Sequence, residues 1–172
     1  MRVKHDRSGS ERLKKLITSE KGKVVAVGWF SDSAYPDTGE KVAAVAATHE
    51  FGAPQKNIPA RSFMRPAKER NYKKWSSVVR SAGAKAIEGR DDFDYVLDQL
   101  GLEVTGDIMQ AIKDVNSPPL SLATLKNRAE KANAGRKRKT FTVNNIKSKP
   151  LQDTGYMIKT VIHVIKKKGE IK

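Results

Sequence analysis

Hydrophobic positions along this chain change period several times, and each change marks an element. Leu13, Leu16 and Ile17 repeat at helical spacing behind Ser10, which suits an N-cap, and Gly22 stops that short helix. Lys23-Val-Val-Ala-Val-Gly-Trp-Phe30 is rich in β-branched residues and reads as a strand. Asp32, Pro36, Asp37 and Gly39 make Ser31–Gly39 turn material with a mobile tip. From Glu40 to Phe51 the period returns to that of a helix. Val42, Val45, Ala46 and His49 form one face, four alanines keep the helix slim, and Gly52 suits the position after its end. Ala53–Arg65 is irregular. Pro66 is placed to open the next helix at its first turn, and that helix runs to about Ala84 with Trp75, Val78 and Val79 inward.

A third long helix spans Phe93–Val115, where Val96, Leu97, Leu100, Val104, Ile108, Met109 and Ile112 recur at helical spacing. Gly101 and Gly106 weaken it, by about 1 kcal/mol each relative to alanine. Asn116-Ser-Pro-Pro119 ends it, and Ser121–Ala129 reads as a short helix. Asp153-Thr-Gly-Tyr-Met157 starts a short helix or turn. Thr160–Ile165 then closes the pattern as a β-branched strand whose natural partner is Val24–Val27. The expected fold is α+β: a small mixed or antiparallel sheet, with strands near 23–30 and 159–166, packed against several helices. Residues 1–172 make a single domain with a flexible N-terminus over 1–9 and a basic flexible loop over 130–150.

Composition sharpens this picture at one place. The chain has 172 residues, 38% hydrophobic and 31% charged, with a formal charge of +15. That apolar share is low for a globular domain, as when part of a chain is disordered or orders only against a partner. The charge favours polyanions. It concentrates in Glu130–Pro150, where Lys131, Arg136, Lys137, Arg138, Lys139, Lys147 and Lys149 face one acidic residue, Glu130. Such a segment suits sequence-independent phosphate contact or an acidic protein surface, and no helix-turn-helix, zinc-finger or ribonucleoprotein motif supports a dedicated DNA-binding module.

Candidate chemistry is thin. With no cysteine, the chain has no disulfide, thiolate metal site or thiol nucleophile. No apolar run approaches the roughly 18 residues of a membrane span, and no apolar segment follows Met1–Arg7 to make a signal peptide, so a soluble, unexported protein is expected. His5, His49 and His163 lie in no metal-binding pattern, and packed or surface roles fit them better. Gly-x-Ser-x-Gly and phosphate-binding glycine motifs are absent. Asp91-Asp92-Phe-Asp94 fits carboxylates at a helix N-terminus rather than a cation site. No catalytic residue, cofactor or metal is expected.

Three ordered motifs carry a resemblance. Val45-Ala-Ala-Thr-His-Glu-Phe-Gly-Ala-Pro54 leads to Ile58-Pro-Ala-Arg-Ser-Phe-Met-Arg-Pro66; Pro118-Pro-Leu-Ser-Leu-Ala-Thr-Leu-Lys126 follows; Pro150-Leu-Gln-Asp-Thr-Gly-Tyr-Met157 comes last. Together they resemble the minor tail-component and tail-completion (head–tail joining) proteins of lambda-like siphophages and the related Mu-type virion morphogenesis proteins. The resemblance implies a small, non-catalytic α/β protein that forms an oligomeric ring at the virion neck. It would be made in the host cytoplasm, with itself, portal, adaptor, tail-terminator or tail-tube proteins, and possibly genomic DNA as partners. Glu50, Phe51, Arg61, Phe63, Met64 and Arg65 are the subunit-interface candidates. Phe63 and Met64 can enter the core or a neighbouring subunit. Arg61 and Arg65 can pair with carboxylates across an interface, or hold the chain's own Glu50 or a helix C-terminus. The alternative is a sequence-independent nucleic-acid-binding protein acting through 131–149. An enzyme hidden in a basic scaffold is the third possibility.

Overall fold

A computed structural model describes residues 10, 11, 14, 15, 18, 22–30, 32–90, 92–133, 149–167 and 170. The fold is α+β. In chain order the elements are β1 (Lys23–Gly28), α1 (Val42–Phe51), a 3-10 turn (Pro54–Lys56), α2 (Met64–Ile87), α3 (Phe93–Asp114), α4 (Leu122–Asn133), α5 (Tyr156–Lys159) and β2 (Ile162–Lys167). β1 and β2 pair antiparallel, with Val25 opposite Ile165 and Val27 opposite His163. The pairing joins the two strands expected from the sequence. The second is shifted, however: residues 159–161 are not strand, because Tyr156–Lys159 closes a helical turn whose Tyr156 carbonyl accepts from Thr160 N–H at 3.1 Å.

α3 is the spine. Its apolar stripe buries Val96, Leu97, Ile108 and Ile112. One side packs on the sheet and the other on α2. The main core joins Ile108 and Ile112 to Val42 and Ala46 of α1, Phe63 and Ala67 at the start of α2, and Leu151, Met157 and Val161 near the last strand. Trp29 is clamped twice: its ring meets Phe63 edge-on (5.8 Å, 87°), and its Nε1–H donates to the Met157 carbonyl at 2.9 Å. Asp92 caps α3 by accepting from Asp94 N–H at 3.4 Å, as carboxylates at a helix start should.

α2 runs longer than its sequence pattern suggests. It begins at Met64, with Pro66 inside the first turn, because a distant carboxylate caps it (below). It ends in a Schellman turn: Gly89, at φ 74°, donates to the Ala86 carbonyl and Arg90 N–H donates to the Lys85 carbonyl. Its inward face also needs correction. Trp75 and Val78 are half-buried, but Val79 is 42% exposed. Trp75 Nε1–H donates to Asp107 at 2.7 Å, and Lys74 bridges Glu103 and Asp107 of α3 at 2.6 and 2.8 Å. Beside these polar ties, Tyr72, Val79, Leu100 and Val104 line a shallow apolar groove between α2 and α3.

Two loop expectations also change. Within the expected turn, residues 32–39 are tied down by a bridge between Ala34 and Lys41 and by Tyr35, whose ring packs tilted (43°) against Tyr156 at 5.2 Å. The basic loop does not begin at residue 130, since α4 continues through Asn133. α4 starts where Ser121 Oγ accepts from Thr124 N–H at 3.2 Å. Ser10, Glu11, Lys14, Lys15 and Thr18 are helical, whereas Leu13, Leu16 and Ile17 lie outside the described residues, as do residues 1–9.

Gly101 is where α3 meets the sheet. It is buried, and a Cβ built there would fall inside van der Waals contact with the His163 ring. That ring is itself held by Asp98 at 2.8 Å. Gly101→Ala is therefore expected to destabilise the fold by about 1–3 kcal/mol through overpacking, despite alanine's better helix propensity. Thermal unfolding of Gly101→Ala and of Gly101→Ala/His163→Ala checks this. The double variant should recover part of the loss, and a Gly101→Ala protein as stable as the parent would overturn the prediction.

Candidate functional site

The irregular segment after α1 reverses the chain within a few residues. Gly52, at φ 77°, makes the turn, and a side chain there would strike the Ala60 backbone, its Cβ 2.8 Å from Ala60 N. A bridge between Ala53 and Ile58 closes the loop, and Arg61 N–H donates to the His49 carbonyl at 2.7 Å. Residues 61–65 are thereby laid against the end of α1.

This places Glu50 at the start of α2. Its carboxylate, 4% exposed, accepts from Ser62 Oγ (2.6 Å), Phe63 N–H (2.7 Å), Met64 N–H (3.0 Å) and Arg65 N–H (3.3 Å), with Arg65 Nε at 3.5 Å. A helix N-terminus offers unpaired N–H groups and a positive dipole end. Here the capping group arrives from another helix. Burial alone would raise the Glu50 pKa, but the Ser62 hydroxyl and the N–H groups of Met64, Phe63 and Arg65 outweigh it and hold the carboxyl below its ordinary range.

Arg61 points the other way and is 6% exposed. Its Nε donates to the Pro118 carbonyl at 2.8 Å and its Nη2 to the Pro119 carbonyl at 2.9 Å. The Ser117–Pro118 peptide is cis. Beyond it, Arg128 of α4 donates to the Lys149 carbonyl at 3.0 Å and pairs with Asp153 at 3.4 Å. The three motifs, distant in sequence, thus converge. Arg61 ties the first to the second, and Arg128–Asp153 ties the second segment's helix to the third.

Between them lies a cleft of about 810 Å³. Arg61, Arg128, Lys131 and His49 line it together with Tyr35, Asp37, Glu40 and Tyr156. Nδ1 of His49 is buried and has no hydrogen-bond partner among the described residues. Burial first, then Arg61 and Arg128, lower its pKa, so the ring is neutral at neutral pH. Burial and the Asp37, Glu40 and Asp153 carboxylates, with Tyr156, raise the pKa of Tyr35. The cleft is electropositive toward the arginines and electronegative toward Tyr35. Among the described residues no group of three His, Asp or Glu could hold a metal ion. No described helix is long and apolar enough to cross a membrane.

The interface candidates therefore divide. Glu50, Arg61 and Phe63 are buried and engaged within the chain itself, and Met64 packs against the core. Phe51 and Arg65 remain outward: Phe51 is 69% exposed, and the Arg65 guanidinium sits 5.7 Å above its ring. Of the basic candidates, Lys131 lies exposed on α4 and Lys149 is exposed beside it, while Arg136, Lys137, Arg138, Lys139 and Lys147 lie outside the described residues. Sequence reading missed Arg128, Asp153 and Tyr35 as members of one site. Their motifs were visible, but only folding brings them together. No protein-family model matches the chain, and neither a curated protein nor a solved structure matches it.

Proposed function

We propose that the chain is a structural protein of a tailed bacteriophage. It assembles as an oligomeric ring in the neck or tail-completion region and joins tail to head without catalytic turnover. It acts in the virion, after synthesis in the host cytoplasm, and its partners are further copies of itself and the adjoining portal, adaptor or tail proteins. The observation that carries this reading is the convergence of the three resembling motifs on one clamp and cleft. A constellation spread over so much chain that ties helix ends and loops together suits a scaffold that presents surfaces in fixed positions. Phe51 and Arg65 give that scaffold an exposed aromatic–guanidinium pair of the kind enriched at interface centres.

Disruption of the gene in its phage tests this directly. Electron microscopy should show filled heads and separate tails, and infectious particles at the parental titre would overturn the reading. Phe51→Asp should lower the yield of joined particles while leaving the melting temperature within about 2 °C of the parent, since surface changes cost little stability.

A second reading, sequence-independent nucleic-acid binding, draws on one observation. Lys68, Arg70, Lys73, Arg80 and Lys85 are all exposed along α2, so the positive field is not confined to residues 131–149. It requires a gel shift with duplex DNA at roughly 150 mM salt and a steep loss of binding as salt rises.

A further inference from the structure

Arg61 presents an electrostatic imbalance. Arginine keeps its proton in proteins, so this buried group is a cation. Buried charges are ordinarily paired with a counter-charge, because desolvation otherwise outweighs what hydrogen bonds return. Among the described residues, no carboxylate pairs with Arg61; its partners are the two proline carbonyls. The charge that acts on it is another cation, Arg128. Arg128 has Asp153 beside it. The two guanidiniums share one wall of the cleft, where Asp153 sits at Arg128 while Arg61, among the described residues, hydrogen-bonds only to proline carbonyls. Nη1 of Arg61 is not used by either proline contact. His49, which lines the same cleft, holds a buried nitrogen with no hydrogen-bond partner among the described residues.

We infer that the Arg61–Arg128–His49 end of the cleft is a receptor for a single carboxylate, presented by an acidic side chain of a partner protein. Arginine's fork binds carboxylates in two-point geometry, and a neutral imidazole can donate one further hydrogen bond to the same group. The apolar lining of Val45, Ile58, Leu151 and Met157 suits the uncharged neighbours of such a side chain. A nucleic-acid backbone fits less well, because Asp37, Glu40 and Asp153 line the same cleft and oppose a run of phosphates. The inference rests on the assembly reading only for the source of the carboxylate; the receptor itself is a property of the isolated chain.

The test uses the full chain and its three histidines, whose ring signals are resolvable by NMR. Acetyl-Leu-Asp-Leu-amide is titrated against its neutral counterpart acetyl-Leu-Asn-Leu-amide, with inorganic phosphate and a short DNA duplex as separate arms. The aspartyl peptide should shift the His49 ring saturably in the millimolar range, leave His163 unmoved and bind about tenfold tighter than the asparaginyl peptide. His49 should titrate at higher pH when the peptide is bound. Arg61→Met should abolish the shift. Because that variant also removes the braces on Pro118 and Pro119, Arg128→Gln serves beside it and should weaken binding about tenfold. Equal binding of the two peptides, no saturable shift with the aspartyl peptide, or a stronger response to phosphate or duplex would overturn the carboxylate receptor. Such a failure would leave the assembly reading standing, since that is read from particles.

Discussion

Glu50→Ala is expected to lower the unfolding free energy by about 3–4 kcal/mol, because it leaves three helix-end N–H groups and a serine hydroxyl without their charged acceptor. For a domain of this size that is a fall in melting temperature of about 6–15 °C. Glu50→Gln keeps one acceptor oxygen and should fall between parent and alanine. The effect also has a pH signature. The folded-state pKa of Glu50 is depressed below the ordinary 4.5. Its stabilisation is therefore fully present above that value and is lost as pH falls through the lower, folded value. The stability gap between parent and Glu50→Gln should be constant near neutrality and narrow in acid. Denaturant unfolding across pH measures it, and a gap unchanged down to the acid limb would overturn the assignment of Glu50 as a charged cap.

Phe63→Ala should cost about as much, roughly 3–5 kcal/mol, for a different reason. Its ring is 1% exposed, at the centre of the core, and meets Trp29 edge-on. Truncation opens a cavity where α1, α2 and α3 meet, and helices braced by polar clamps have little freedom to close it. Near-ultraviolet circular dichroism should lose part of the Trp29 signal as well. Phe63 N–H is also one of the donors to Glu50, so the two substitutions share a structural unit. Their combined cost should fall short of the sum by at least about 0.5 kcal/mol. Strict additivity would mean that core and cap act independently.

How much of this was legible beforehand depended on sequence distance. The α3 stripe was readable from Val96 to Ile112 because a helix's own period sets which side chains face inward. The pairing of Val24–Val27 with the last strand was readable because both are β-branched runs with no other partner. The start of α2 was not. Pro66 is a local signal for a helix opening, yet the cap that decides the matter is Glu50, on another element. Arg61 was open to contact with a neighbour, with Glu50 or with a helix C-terminus; its actual acceptors are carbonyls of the Pro118–Pro119 segment, which no local pattern could indicate. Val79 was placed inward by its period but is 42% exposed, while Trp75 and Lys74 tie α2 to Glu103 and Asp107 of α3. The cleft was illegible for the same reason: its lining comes from five separate stretches.

The Trp29–Met157 hydrogen bond spans 128 residues, and the sheet beside it closes over a similar stretch. During synthesis, β1 leaves the ribosome with nothing to pair against until β2 follows. Loop closure over such lengths is slow, and contacts of this kind delay folding more than they weaken the folded state. Helices α1 to α3 can form early, but β1 is left as an open strand edge, with the Gly101 side of α3 uncovered, until residues 162–167 have been made. A chain cut short would thus lack the sheet that finishes the core, and the cleft would lack Asp153 and Tyr156. The cleft and the sheet are therefore both completed by the segment from residue 151 to residue 167, the cleft by its first residues and the sheet by its last.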